Sequence, residues 1–194
     1  MVSIGGIEIP TPLALGPMAG VTDIAFRTIC REQGAGLTCS EMVSAKALCF
    51  QDKKTTPLLE LGEGEHPAAV QIFGSDPACM EQAAGIAHEK SGCDFIDINM
   101  GCPVPKVANS GDGSGLMRTP DLAVKVAEAV IRGAGCPVTV KFRLGWDKGS
   151  STVWSLPKLW KRQGWRRWLS TAAPRPRCTP VPPTGTGSGR SRTR

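Results

Sequence analysis

The 194-residue chain contains no run of about 18 apolar residues, so it has no segment suited to crossing a bilayer as a helix. Its first residues also lack the basic stretch followed by an apolar core that marks a secretory signal. The apolar content of 41% and the charged content of 21% are those of a globular domain with a real core. We therefore expect a soluble, cytoplasmic protein with no membrane partner.

Cysteine pairs with the CxxC spacing are also lacking, although the chain has eight cysteines. Most zinc sites use such close spacing, and disulfide-rich scaffolds belong to secreted proteins. Because most of the cysteines lie in apolar stretches, we expect reduced thiols, mostly buried as small apolar side chains, and no metal site. The cysteines are Cys30, Cys39, Cys49, Cys79, Cys93, Cys102, Cys136 and Cys178.

Acidic residues are absent after residue 150, although ten of the 23 Lys and Arg residues lie there. The overall charge of +6 therefore belongs to the tail, and residues 1–150 carry a net charge of −4. The tail also holds four of the five tryptophans, and no part of it has the periodicity of an amphipathic helix or a strand. We divide the chain into a folded domain, residues 1–150, and an irregular basic tail rich in Pro, Arg, Trp and Gly, residues 151–194.

The domain alternates short apolar runs with helix-length stretches. The runs end in turns rich in Gly, Pro or Asn, and they lie at 12–20, 37–43, 68–74, 95–101 and 138–145. The predicted helices lie at 25–34, 76–91 and 119–133. This pattern predicts an α/β protein with a parallel sheet covered by helices. Because no GxGxxG follows the first run, the first five units of a (β/α)8 barrel are favoured over an open dinucleotide-binding sheet.

The segment Asp97–Pro103 (DINMGCP) gives the sharpest functional signal. Asn99 and Cys102 flank Gly101 just after a predicted strand, where a barrel keeps its chemistry on one rim. The alternative is an ordinary turn with a buried cysteine. Because the polar residue, the thiol and the glycine turn occur together at a strand end, we favour a functional thiol on the rim.

Three further segments carry candidate ligand-binding residues. Lys141 and Arg143 point to the same side of a strand and could hold a phosphate or an electron-rich ring, although a solvated strand end explains them equally well. The segment 16–23 (GPMAGVTD) allows the backbone to approach a flat ligand, or is a plain βα turn. Gln71 offers an amide to the edge of a cofactor ring, or is an ordinary polar strand residue.

Taken in order, the strings GPMAGVTD, LTCSEMVS, VQIFGSDP, DINMGCPVPKV and VTVKFRLGW resemble the tRNA-dihydrouridine synthase family, in particular its bacterial branch. The resemblance spans roughly residues 3–148. It implies a truncated (β/α)8 TIM barrel with about five βα units, which binds FMN. It also implies an enzyme that reduces uridine in tRNA to 5,6-dihydrouridine with NADPH as the reductant. Intact members would be monomers with a helical tRNA-binding domain.

The same match implies a role for each candidate residue. The flavin would be contacted by Pro17, Met18 and Ala19, and its ring would receive hydrogen bonds from Gln71 and Lys141. The uracil, flipped out of the RNA stack, would be placed by Asn99 with Arg143 nearby. The hydride would go to C6 of the uracil, and Cys102 would give the proton that C5 needs.

Two other functions remain open at the level of sequence. One is an FMN barrel that reduces a free pyrimidine. A tRNA-binding assay on a version of the protein with a corrected reading frame would distinguish it from a tRNA-modifying enzyme. The other is a non-enzymatic RNA-binding protein, because Arg contacts phosphate and Trp stacks on bases in the tail. In that case, deletion of residues 151–194 would abolish RNA binding.

The tail itself yields a prediction about the gene. Read one base out of frame with permissible codons, residues 153–173 become an amphipathic helix, a strand and the HGRT turn that the family carries next. We therefore predict a net one-base deletion near codons 149–152, and a chain that as written folds weakly and is inactive. The nucleotide sequence around codon 150 should show an intact second reading frame. Stop codons soon after this point in that frame would contradict the prediction.

Overall fold

The computed structural model describes residues 2–143 and shows an α/β protein built on a parallel sheet. An antiparallel hairpin formed by β1 (Val2–Ile4) and β2 (Ile7–Ile9) precedes this sheet. The sheet contains, in spatial order, β3 (Thr38–Ser44), β4 (Ala68–Phe73), β5 (Phe95–Met100) and β6 (Val138–Phe142). All three strand pairs are parallel, so the carboxyl ends of the strands meet at one edge.

Helices connect the strands and cover the outside of the sheet. They are α1 (Ile24–Glu32), α2 (Ala45–Cys49), α3 (Pro77–Ser91), α4 (Pro105–Ala108) and α5 (Pro120–Ala134), with 3₁₀ turns at Thr56–Leu59 and Gly113–Arg118. Helix α3 begins as its sequence indicates, because the Asp76 carboxylate accepts a hydrogen bond of 2.8 Å from the Cys79 N–H and Pro77 occupies the first turn. None of the helices in residues 2–143 has the length and apolarity that a bilayer span requires.

The core lies between the sheet and the pair of helices α3 and α5. Every residue of β5 is buried, as expected for a strand covered on both faces. The helices present small side chains to each other and to the sheet, among them the fully buried Ala83, Ala84, Ala123 and Ala127. Large apolar side chains from the sheet fill the remaining space, and each contributes about 1.5–3 kcal/mol on burial.

The structure confirms the α/β class and the parallel sheet, but not five βα units. The first predicted strand, at 12–20, forms only an isolated parallel bridge between Ala14 and Leu37. Proline is the physical reason on one side: the Leu15 N–H donates to the Leu37 carbonyl, and Pro17, which stands at the next donor position, has no N–H to continue the ladder. The described residues therefore hold four ladder strands in an open sheet. The predicted tail, residues 151–194, lies outside the described residues.

The expectation for the cysteines was correct in one respect and wrong in another. All seven cysteines among residues 2–143 are free thiols. Only Cys39 and Cys93 are buried, whereas the other five are partly exposed. Most of those five lie on helices or loops at the periphery of the core, where an apolar neighbourhood in sequence does not imply burial.

A buried ion pair joins α1 to the segment before β4. Arg27 and Glu65 are each 2% exposed, and the Arg27 Nε lies 2.6 Å from a Glu65 carboxylate oxygen. The same guanidinium donates to the Thr22 carbonyl, while the Thr38 hydroxyl and the Gly62 N–H donate to Glu65. Burial alone would raise the pKa of Glu65, but these hydrogen bonds outweigh it and the pKa is lowered from its ordinary value of 4.5.

We predict that Arg27→Met destabilises the protein by about 3–5 kcal/mol, because it leaves the Glu65 carboxylate buried without its partner. The measurement is urea unfolding followed by circular dichroism. Since the folded-state pKa of Glu65 is depressed, its stabilising contribution is present above pH 4.5 and is lost as the pH falls through the lower folded value. Arg132→Gln, which breaks the exposed pair with Glu81, is the control and should barely move the urea midpoint. Equal effects of the two variants would contradict the prediction.

Candidate functional site

A cavity of about 390 Å³ opens at the carboxyl ends of the sheet strands. This volume is within the range of small-molecule and cofactor sites. The lining residues are Pro17, Met18, Ala19, Met42, Gln71, Asn99, Gly101, Cys102, Pro103, Val104, Lys141 and Arg143. They come from the loop before α1, from four adjacent strands and from the loop after β5. All eight residues that the sequence singles out as site residues are among them.

The first wall of the cavity is the turn that carries Pro17, Met18 and Ala19. Its conformation is fixed by the Met18 carbonyl, which accepts hydrogen bonds of 3.0 Å from the Val21 and Thr22 N–H groups. The Gly20 N–H donates to a Glu41 carboxylate oxygen at 2.5 Å and ties the turn to β3. The turn is therefore held in place in part by Val21, Thr22 and Glu41, which do not line the cavity.

The floor of the cavity is a relay of buried polar side chains on adjacent strands. Gln71 lies opposite Asp97 in the β4–β5 register, and its Nε2 donates to an Asp97 carboxylate oxygen at 2.5 Å. Asn99 Nδ2 donates to Gln71 Oε1 at 2.8 Å. The Thr139 hydroxyl donates to the other Asp97 oxygen at 2.5 Å. None of these four residues is more than 7% exposed. Their polar atoms therefore find their hydrogen-bond partners within the protein and not in water.

Asp97 is the titratable member of this relay. Burial raises the pKa of its carboxyl above the ordinary value, while the hydrogen bonds from Thr139 and Gln71 and the positive charge of Lys141 oppose this increase. Both donors point at the carboxylate, and this fixes the orientation of the Gln71 amide. With Nε2 committed to Asp97, Oε1 is the atom left to receive Asn99.

Asn99 connects these buried side chains to the loop that carries Cys102. Its Oδ1 accepts hydrogen bonds from the Gly101 N–H at 3.0 Å and from the Cys102 N–H at 2.9 Å. The Cys102 carbonyl accepts a further hydrogen bond from the Ser114 N–H at 3.1 Å. The backbone of Cys102 is thus held on both sides, while its partly exposed thiol lies at the cavity wall.

Lys141 and Arg143 complete the wall from β6, as the two-residue spacing predicts. Lys141 pairs with Asn99 in the β5–β6 register, so the amine and the cysteine loop come from neighbouring strands. No ion pair or hydrogen bond to the Lys141 amine occurs within residues 2–143. Gly101 lies against the end of β6, where a Cβ would be 3.2 Å from Arg143 Cγ. Its small size therefore serves close packing rather than the tight turn that the sequence indicates.

The structure refines the placement of the predicted polar residues. Gln71, Asn99 and Lys141 lie within β4, β5 and β6, whereas Cys102 and Arg143 follow the ends of β5 and β6. The roles of Gln71 and Asn99 toward a ligand stay predictions, because their side chains already bond to each other and to protein groups. The sequence reasoning assigned no role to Asp97 or Thr139, although an acidic residue inside an apolar strand was an available signal.

Comparison with known proteins gives one consistent result. The model of the family "Dihydrouridine synthase (Dus)" matches residues 13–168. The chain is 42% identical over 165 residues to the tRNA-dihydrouridine synthase B of Pseudomonas aeruginosa, covering 84% of this chain and 49% of that protein. It is 38% identical over 165 residues to the probable tRNA-dihydrouridine synthase of Rickettsia bellii, covering 84% and 50%. The chain thus spans about half the length of the curated relatives it matches.

The relay predicts the effect of removing Asn99. Asn99→Ala leaves the Gly101 and Cys102 N–H groups without their acceptor, which costs about 1–3 kcal/mol. We expect faster hydrogen exchange of these amides and faster alkylation of Cys102, both measured by mass spectrometry. The matched control is Asn109→Ala, since Asn109 is exposed at the end of α4. Unchanged exchange in Asn99→Ala would show that the side chain does not hold the loop.

Proposed function

The chain belongs to the dihydrouridine synthase family, and we propose that the cavity is the flavin and uracil site of a tRNA-dihydrouridine synthase. The observation that carries the proposal is the convergence of the Cys102 thiol and the Lys141 amine on one cavity. Lys141 lies on β6 and Cys102 on the loop that follows the adjacent strand β5, and neither has a hydrogen-bond partner for its functional atom in the described part of the chain. A reaction that needs both an acid and a cation beside one flat ring would use them together.

The residues present fit FMN. A cavity of about 390 Å³ suits one planar ring system. The Pro17–Ala19 turn forms one side of the cavity, and the Lys141 amine makes no ion pair or hydrogen bond among the described residues. We propose that Pro17, Met18 and Ala19 contact the flavin and that Gln71 and Lys141 bind the polar edge of its ring. When bound, FMN would supply the hydride, with NADPH as the reductant that restores it.

The protein's own contribution is the position of the substrate and of one proton. The target uracil must leave the base stack to enter the cavity, and Asn99 and Arg143 would orient it there. The Cys102 Sγ–H bond breaks as a C–H bond forms at C5, and the resulting thiolate regains a proton from solvent. The hydrogen bonds from the Gly101 and Cys102 N–H groups to Asn99 hold the loop backbone from which the thiol would reach that carbon.

We also propose which part of a larger barrel the described residues form. The bridge between Ala14 and Leu37 places an extended segment beside β3, where a (β/α)8 barrel would have its first strand. Residues 1–150 would then form the first part of an FMN-binding barrel. The tail at 151–194 would be a non-native, out-of-frame segment. Because the family model matches as far as residue 168, the boundary at residue 150 stays a prediction. The intact protein would act on tRNA in the cytoplasm as a monomer.

The test uses a frame-corrected, full-length protein, an unmodified tRNA transcript and NADPH. We expect Cys102→Ala to keep the flavin absorption spectrum but to form dihydrouridine about 10²–10⁴ times more slowly, because only the proton donor is lost. Lys141→Met should lose flavin instead. The matched controls are Cys30→Ser on α1 and Lys125→Met on the exposed face of α5, which should behave like the parent protein.

Two results would contradict the proposal. One is a Cys102→Ala variant that forms dihydrouridine at the parent rate, since the thiol would then not be the acid. The other is reduction of free uridine as fast as that of the tRNA, which would favour an enzyme for free pyrimidines.

A further inference from the structure

At the opposite end of the sheet from the cavity, three metal-binding side chains meet in the space below α3 and α5. His88, Cys93 and Cys136 each offer one ligand atom, and these three atoms lie within 4.8 Å of one another. The sequence gives no signal for this cluster, because the residues are 5 and 43 positions apart and none of them belongs to a CxxC pair. We propose that it is a Zn²⁺-binding site of the Cys₂His type, which clips together the turns that lead into β5 and β6.

Two helix ends bring the ligands together. His88 lies in the last turn of α3, and the left-handed Gly92 (φ 64°) reverses the chain so that Cys93 comes back beneath the helix. Helix α5 ends in the same way at Gly135 (φ 67°), which is followed directly by Cys136. The two turns are held side by side because the Ile96 N–H donates to the Pro137 carbonyl at 3.2 Å.

The distance between the helices is set by a close backbone contact. At Gly133 in α5, a Cβ would lie 2.1 Å from the Glu81 carbonyl oxygen of α3, so no larger residue fits there. The two helices therefore approach closely, and the helix-end turns that carry the ligands are brought together. The cluster is thus built by the fold itself and not by flexible surface side chains.

The hydrogen bond made by His88 Nδ1 leaves Nε2 free to bind a metal. His88 Nδ1 lies 3.1 Å from the Cys93 carbonyl oxygen. A carbonyl can only accept, so Nδ1 carries the proton and the neutral ring keeps its lone pair on Nε2. That atom lies next to Gly135, 3.6 Å from where a Cβ would stand, and so beside the Cys136 turn. Metal-binding histidines commonly donate their other ring N–H to a backbone carbonyl in this way.

The donor set and the charge favour zinc. Two thiolates and an imidazole form a soft to borderline set that suits Zn²⁺. Tetrahedral zinc holds such ligand atoms roughly 3.6–3.8 Å apart, so no pair of atoms in the cluster has to approach by more than about 1 Å. Binding releases the two thiol protons to solvent, and the two thiolates neutralise the cation. Since His88 and Cys136 are partly exposed, water can reach the fourth coordination position.

The experiment uses the full 194-residue chain, reduced with a phosphine and freed of metal with a chelator. We expect one Co²⁺ per chain, with the charge-transfer absorption of thiolate-bound tetrahedral cobalt, and its displacement by equimolar Zn²⁺. Cys136→Ser and His88→Gln should each weaken Zn²⁺ binding by at least the roughly 10–100-fold that loss of an outer-shell partner costs. Cys93 is fully buried, so far-UV circular dichroism should accompany Cys93→Ser to show that the variant still folds. Cys30→Ser is the matched control and should bind Zn²⁺ like the parent chain.

Three outcomes would overturn the assignment. The first is the absence of cobalt–thiolate absorption in the reduced parent chain. The second is a loss of affinity that is equal in Cys136→Ser and Cys30→Ser, since an unfolded chain would bind metal through any of its thiols. The third is unchanged Zn²⁺ affinity in both Cys136→Ser and His88→Gln.

Discussion

The buried amide of Gln71, held between the Asp97 carboxylate and the Asn99 amide, is the constraint on which the candidate site depends. A side-chain amide has two distinct ends, and inside the protein each end needs a partner of the opposite kind. The carboxylate can only accept, so it fixes which end of Gln71 faces it and consequently which end of Asn99 faces Gln71. The outcome is that Asn99 Oδ1 is left to receive the N–H groups of the cysteine loop. The backbone of the loop that carries the thiol is thus ordered by the buried Asp97 carboxyl through Gln71 and Asn99.

The relay and the cavity share two residues. Gln71 and Asn99 belong to both, Asp97 and Thr139 support them from within the strands, and Cys102, Lys141 and the Pro17–Ala19 turn line the cavity without belonging to the relay. The walls are fixed by groups beneath them, including the Glu41 carboxylate under the turn and the Arg27 guanidinium behind it. Such support is what a site requires if it is to hold a flat cofactor and an acid in constant relation.

Much of the fold and of the candidate site could be predicted from the sequence. The features that were not predicted were missed for identifiable physical reasons. The helix from Pro77 and the strand with DINM were predictable because a cap, a proline and an apolar run act locally. The residues of the cavity were predictable because family strings fall at strand ends. The interruption of the first strand at Pro17 and the roles of Asp97 and Thr139 were missed. The first depends on which N–H groups the neighbouring strand needs, and the second on a register that pairs residues 42 positions apart.

The most direct test of the account is a crystal structure of the frame-corrected, full-length protein with FMN bound. The account predicts one flavin in the cavity, with the Cys102 sulfur over the reactive face of the ring and the Lys141 amine in hydrogen-bonding distance of its edge. A flavin bound elsewhere, or a ring that contacts only one of these two residues, would contradict it.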